Sequence, residues 1–136
     1  MRVAVLFFGG GKREATANIA RGLVVGFEKA GHQVDLIDGD RDVNTKLTAY
    51  GYIAVGTASM SLFGGKIDPR IVEYLSNAGM IGGKKSFAFV VNGPFGVQKA
   101  LSRLMAALEH EGLFIRFSET VRSREEAEMI AGRLKL

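Results

Sequence analysis

Cysteine and tryptophan are absent from this 136-residue sequence, which also has only two histidines and two prolines. Without cysteine, the chain has no disulfide bond, thiolate metal site, iron–sulfur cluster or cysteine nucleophile. No apolar run approaches the roughly 20 residues of a membrane-spanning helix. The first residues begin a strand pattern directly, with no leader-like apolar segment before it. We therefore expect a cytoplasmic location and no membrane association.

The excess of positive charge is modest. The formal net charge is +4, and basic residues occur singly or in pairs rather than along one helix face, so we expect no nucleic-acid binding.

The acidic residues between Asp35 and Asp42 have no histidine partner, and we interpret them as a solvated loop. His32 and His110 fall near predicted helix ends at the far edge of the sheet, which argues against a histidine-centred triad. We predict no metal ligand and no catalytic residue.

Strand and helix patterns alternate along the chain, whose length suits a single domain. Apolar runs predict five strands, at residues 3–8, 34–37, 50–55, 86–91 and 113–117. Apolar positions at helical spacing predict four helices, which follow the first, third, fourth and fifth strands. Asp68 with Pro69 predicts one helix start, and Ser123 with Glu126 predicts a capping box at another. Residues 38–49 are predicted to be a loop or a short distorted helix.

The alternation of strands and helices predicts a doubly wound α/β sandwich of three layers over residues 1–136. Five strands fit a parallel sheet of order 2-1-3-4-5, in which the switch point lies between strands 1 and 3. Ligands of such sheets bind beyond the carboxyl ends of the strands at that point. Glycine-bearing loops at residues 9–15, 56–66 and 92–97 converge there, so we predict a pocket between them. The first of these loops leads into a helix N-terminus, which suits a phosphate.

The glycine turn after the first strand matches no common nucleotide motif completely. A P-loop requires Ser or Thr after its lysine, where this chain has Arg13, and an earlier glycine at the position of Leu6. In the dinucleotide-binding fingerprint, the first two glycine positions are matched by Gly9 and Gly11. Glu14 occupies the position of the third glycine. The chain is also short for two mononucleotide-binding halves, which makes NAD a minor alternative.

Three segments of the sequence resemble flavodoxins. Residues 3–38, which end in EKAGHQVDLID, are similar to the N-terminal part of that family. Residues 52–69, YIAVGTASMSLFGGKIDP, are similar to its third strand and the flavin-facing loop that follows. Residues 84–101 resemble its fourth strand and second flavin-facing loop. The resemblance covers nearly the whole chain and implies a flavodoxin-like fold.

The resemblance also implies a protein that binds FMN and exchanges electrons with a redox partner protein. By position, the FMN phosphate would be held by Gly10, Gly11, Lys12, Arg13, Ala15 and Thr16. One side of the flavin ring would be lined by Thr57, Ala58, Ser59, Met60, Phe63, Gly64 and Gly65. The other side would be lined by Asn92, Gly93, Pro94, Phe95 and Gly96. Phe63 or Phe95 would stack on the ring, because a planar flavin gains energy against an aromatic face.

The first loop departs from the family pattern, which is rich in Ser and Thr. Only Thr16 keeps a hydroxyl group, and Lys12 and Arg13 supply charge instead. The chain is basic where electron-carrying flavodoxins are usually acidic, which changes the partner it attracts. Two alternatives to an electron carrier therefore stay open: a binding or regulatory module that has lost tight FMN binding, and a small FMN-dependent reductase.

An electron carrier is favoured over an enzyme because the loops hold no acid–base residue. The sheet accounts for the apolar faces of all the helices, and we therefore expect a monomer or a weak dimer.

Overall fold

The computed structural model describes residues 1–136 and contains one five-stranded sheet with four helices. The strands are β1 (Arg2–Phe7), β2 (Gln33–Asp38), β3 (Tyr52–Thr57), β4 (Lys85–Val91) and β5 (Phe114–Val121). The helices are α1 (Arg13–Lys29), α2 (Arg70–Ser76), α3 (Val97–His110) and α4 (Arg124–Arg133). The order is β2-β1-β3-β4-β5, and every neighbouring pair is parallel. The predicted doubly wound α/β sheet of order 2-1-3-4-5 is confirmed.

The central position of β1 explains its sequence. Val3 lies opposite Val34 of β2 on one side and Tyr52 of β3 on the other. Helices cover both faces of the sheet, so a strand in its middle needs an apolar residue at every position rather than at alternate ones. The run VAVLFF at residues 3–8 meets this requirement, and all six of its residues are buried.

Two hydrophobic clusters fill the spaces between the sheet and its helices. One cluster joins the sheet to α2 and α3, with Leu75 and Leu104 among its buried members. The other joins the sheet to α1 and α4, with Leu23 and Ala131 among its members. Gly26 lets α1 and α4 pack closely, because a Cβ there would lie 2.4 Å from a backbone carbonyl oxygen of α4. The apolar stripes of the sequence therefore face the sheet, except that Val72 of α2, which was predicted to face inward, is exposed.

Two strands differ from the prediction in length. β3 begins at Tyr52 rather than at residue 50, because the N–H of Tyr50 donates to Leu47 and its hydroxyl donates to Asp35. β5 continues past residue 117 to Val121, since a strand at the edge of the sheet tolerates polar side chains. Residues 39–51 form turns and irregular backbone with no helix.

The predicted helix starts have the expected hydrogen bonds. Ser123 Oγ accepts a bond of 3.1 Å from the N–H of Glu126, as an N-cap does. Asp68 Oδ1 accepts a bond of 2.9 Å from the N–H of Arg70, although regular helix begins only at Arg70, after Pro69. None of the four helices combines the length and the apolar character needed to cross a membrane.

Candidate functional site

Three loops meet beyond the carboxyl ends of β1, β3 and β4: the first loop (residues 8–12), the second loop (58–69) and the third loop (92–96). A Cβ on Gly10 would lie 2.2 Å from the carbonyl oxygen of Ala58, so the first and second loops touch through their backbones. A Cβ on Gly65 would lie 2.6 Å from the carbonyl oxygen of Gly96, so the second and third loops touch in the same way. Gly10, Gly65 and Gly96 also have positive φ angles, which favour glycine. The three loops form one site, as the topology predicts.

A cavity of about 220 Å³ lies between the loops. Among the residues predicted for the site, it is lined by Gly11, Lys12, Ala58, Ser59, Met60, Gly93, Pro94 and Phe95. An adjoining groove that shares part of this lining adds Phe63, Asn92 and Gly96. Residues outside the predicted set also line the cavity, namely Ser61, Leu62, Val91 and Val97. In the sequence, only the positions of these four residues inside or beside the loops indicated that they could line the cavity. An irregular loop has no periodicity that shows which side chains face inward.

The other predicted residues line neither cavity: Gly10, Arg13, Ala15, Thr16, Thr57, Gly64 and Gly65. Thr16 is fully buried, and its hydroxyl lies 2.7 Å from the carbonyl oxygen of Lys12 and 3.2 Å from that of Gly9. It therefore shapes the first loop from inside. The carbonyl oxygen of Gly64 accepts a bond of 2.7 Å from Arg103, which attaches the second loop to α3.

The start of α1 carries unpaired backbone donors. No side chain caps this 17-residue helix, and its first helical bond is donated by Thr16 to Lys12. No hydrogen bond is made by the backbone N–H groups of Gly10, Gly11, Arg13, Glu14 and Ala15. The helix adds partial positive charge at this end. Lys12 Nζ would lie 3.3 Å from a Cβ on Gly93, so its ammonium group reaches from the first loop to the third. Together these groups suit an anion.

Arg13 binds two acidic residues, one at the end of β2 and one just after it. Its guanidinium group pairs with Asp38 and, at 2.8 Å, with Oδ2 of Asp40. Arg70 pairs at 2.8 Å with Oδ1 of Asp40 and at 2.7 Å with Asp68. A backbone N–H of the first loop also donates to Asp40, over 3.0 Å. This network holds the first loop against the segment after β2 and the start of α2.

The ion pairs change the pKa values of the carboxyl groups. Burial alone would raise the pKa of Asp38, but hydrogen bonds from Arg13 and from the N–H of Asp40 outweigh burial and lower it. The hydrogen bond from Arg70 lowers the pKa of Asp68 in spite of its burial. The interpretation of the acidic cluster as a solvated loop is wrong for Asp38 and Asp40, because both are partly buried and paired with arginine.

The free energy of unfolding is expected to fall in acid. The pKa values of Asp38 and Asp68 are lower in the folded chain than the roughly 3.9 of an unfolded chain, so their contribution is complete above about pH 4. The contribution disappears as the pH falls through the folded-state values. Urea unfolding at neutral pH and at about pH 3 measures the loss. The variant Asp38→Asn should lose less stability between these pH values, and an equal loss would contradict the assignment.

Phe63 and Phe95 contact each other across the groove. Their ring centroids lie 4.9 Å apart, and the ring planes are inclined at 47°. For a flat aromatic ligand to fit between two rings, the rings must be separated by about 7 Å, which is twice the van der Waals contact distance. A ring that binds here therefore either separates the two phenylalanines or stacks on one while the other moves aside.

Similarity to known proteins is visible in structure but not in sequence. No protein-family model matches this sequence, and no curated protein matches it significantly. Flavodoxin 1 from Bacillus cereus matches with a TM-score of 0.72 and 15% identity, over 96% of this chain and 95% of that one. A flavodoxin from the domain Archaea matches with a TM-score of 0.69 and 16% identity, over 97% and 94%. A flavone reductase matches with a TM-score of 0.64 and 11% identity, over 97% of this chain and 61% of that one. The chain therefore has the flavodoxin-like fold that the resemblance implied.

Proposed function

We propose that this protein binds FMN where the three loops meet and passes electrons through it to a partner protein. The proposal depends on one observation: an uncapped helix start, the ammonium group of Lys12 and a groove that contains Phe63 and Phe95 lie together. The similarity in fold to flavodoxins supports it.

The phosphate of FMN suits the first loop. Unpaired backbone N–H groups supply donors in place of hydroxyl side chains, namely those of Gly10, Gly11, Arg13, Glu14 and Ala15. Lys12 adds a positive charge, and a charge-assisted bond to phosphate is stronger than a neutral one. Arg13 takes part through its backbone N–H, since its side chain is bound to Asp38 and Asp40.

The flavin ring suits the space between the second and third loops. Bound FMN supplies a ring that accepts and releases electrons. Phe63 or Phe95 would stack on the ring, and Met60 lines the adjoining cavity. The backbone groups of Gly64 and Gly65 would meet the edge of the ring, and Arg103 holds this part of the second loop to α3.

Retention of FMN on desalting tests this proposal. The purified protein is incubated with excess FMN, passed through a desalting column and examined in the visible range. We expect the protein fraction to carry about one flavin per chain. A protein fraction without flavin absorbance, together with no change in the fluorescence of added FMN, would contradict the proposal.

Replacing either stacking residue should change the bound flavin. Phe63→Ala or Phe95→Ala removes an aromatic contact of about 0.5–1.5 kcal/mol, which corresponds to roughly 2- to 10-fold weaker binding. The reduction potential of the flavin should shift for whichever residue stacks on it. Phe114→Ala is the matched control, because Phe114 is equally exposed but lies at the start of β5. Unchanged affinity and potential in both Phe63→Ala and Phe95→Ala would rule out stacking.

A second candidate function is a binding or regulatory module without tight FMN binding. It is favoured by the cavity volume of about 220 Å³, which is below the roughly 300–1,000 Å³ of most small-molecule sites. The contact between Phe63 and Phe95 favours it as well. The desalting experiment separates the two functions, since the module would lose its flavin.

An FMN-dependent reductase is compatible with the similarity to the flavone reductase. Lys12 is the one ionisable side chain that lines the cavity, and no carboxylic acid, histidine or tyrosine is present there to transfer a proton. We therefore favour an electron carrier over an enzyme.

A further inference from the structure

Large apolar side chains lie exposed around the candidate site. Met60, Leu62, Phe63 and Phe95 have exposed fractions of 49%, 69%, 63% and 54%. They are continuous, because Met60, Leu62 and Phe95 line the same cavity and Phe63 contacts Phe95. We call these four residues the apolar patch. Contiguous exposed apolar side chains mark interaction sites, and methionine and phenylalanine are enriched at protein interfaces.

The charge beside the apolar patch is mostly positive. Neither residues 57–67 nor residues 92–108 contain an aspartate or glutamate, whereas Lys66, Lys99 and Arg103 lie in these segments and are exposed. Arg103 is held over the second loop by its bond to a backbone carbonyl oxygen. Lys12 adds a further positive charge on the first loop, and Glu14 is an exposed acid near it. Positive charge on the second loop and on α3 therefore lies beside the apolar patch, at Lys66, Lys99 and Arg103.

We propose that the apolar patch and its basic surroundings dock a partner protein whose contact face is acidic with an apolar centre. Opposite charges on two such faces speed their encounter and select the orientation in which the apolar centres meet. A second copy of this chain does not fit, because a two-fold interface at the patch would bring Lys66 and Lys99 of both copies together. Electron transfer across this face rests on the proposed function, but docking itself does not require FMN.

An acidic plant-type [2Fe–2S] ferredoxin serves as the probe, and the backbone amide NMR spectrum of this protein gives the readout. We expect ferredoxin to perturb amides of residues 58–66 and 92–103 and to bind much more weakly when salt rises from about 20 mM to about 300 mM. Cytochrome c, a small basic redox protein, should leave these amides unperturbed. Perturbation elsewhere, or by cytochrome c or single-stranded DNA instead of ferredoxin, would overturn the proposal.

Charge reversal identifies the surface. The double variant Lys66→Glu/Lys99→Glu should weaken ferredoxin binding by at least about tenfold. The double variant Lys85→Glu/Lys135→Glu makes the same change in net charge at exposed positions near the amino ends of the strands, and it should bind as the wild type does. Equal losses in both variants would show that net charge alone attracts ferredoxin and would overturn the proposal.

The ferredoxin titration is run with and without FMN, so that failure of the proposed function can be distinguished from failure of the docking surface. A protein that binds ferredoxin at the patch but retains no flavin contradicts the proposed function alone. A protein that retains flavin but shows no response to ferredoxin contradicts the docking surface alone.

Discussion

Replacing Lys12 by alanine is expected to weaken FMN binding by about 10- to 100-fold, since a hydrogen bond to a charged group contributes about 1.5–3 kcal/mol. Lys12 lines the cavity, and its ammonium group lies between the first and third loops. Of the two adjacent cations it is the one whose side chain reaches the cavity, because Arg13 is bound to Asp38 and Asp40. Titration of FMN fluorescence measures the affinity.

Two controls make this expectation specific. Riboflavin lacks the phosphate, so Lys12→Ala should not change its affinity. Arg13→Ala should keep the affinity for FMN near that of the wild type and lower the free energy of unfolding, since it removes the pairs with Asp38 and Asp40. If Arg13→Ala weakened FMN binding as much as Lys12→Ala without destabilising the fold, the guanidinium group would be the phosphate ligand.

Replacing Gly10 by alanine is expected to lower the free energy of unfolding by about 3 kcal/mol, from the strain of a positive φ and from overpacking. The φ angle of Gly10 is 58°, and a Cβ there would lie 2.2 Å from the carbonyl oxygen of Ala58. A backbone oxygen cannot rotate away as a side chain can, so the first and second loops must separate. FMN affinity should fall as well, because these loops form the cavity. Urea unfolding and FMN titration measure the two effects.

Gly31 offers a matched control for the steric part of this effect. Its φ angle is also positive, at 96°, but a Cβ there would meet no atom within 4 Å. Gly31→Ala should therefore cost only the conformational strain, about 1 kcal/mol, and should leave FMN affinity unchanged. Equal destabilisation by Gly10→Ala and Gly31→Ala would mean that the loops accommodate the extra methyl group.

The fold was predictable from the sequence because its elements follow from local patterns. The unbroken apolar run at residues 3–8 indicated a central strand, and alternation of strands with helices restricted the topology. β5 was predicted too short because its polar residues are stabilised by pairing with β4, a long-range contact. The start of β3 was misplaced because the hydroxyl of Tyr50 binds Asp35, 15 positions away in the sequence.

The candidate site was predictable only in part. The positions of the three loops followed from the topology, and most of the residues that line the cavity lie in them. The direction of the Arg13 side chain did not follow, because its partners Asp38 and Asp40 are 25 and 27 positions away. The mutual contact of Phe63 and Phe95 was equally hidden, since it depends on the shapes of two irregular loops.

The most direct test of FMN binding where the three loops meet is the backbone amide NMR spectrum during stepwise addition of FMN. We expect the amides of the first loop and the first turn of α1 to shift together with those of the second and third loops, and the shifts to end at one FMN per chain. The unpaired N–H groups of Gly10 and Gly11 should shift strongly. An unchanged spectrum in excess FMN, or shifts confined to the separate pocket beside Asn44 and Asn77, would contradict this account.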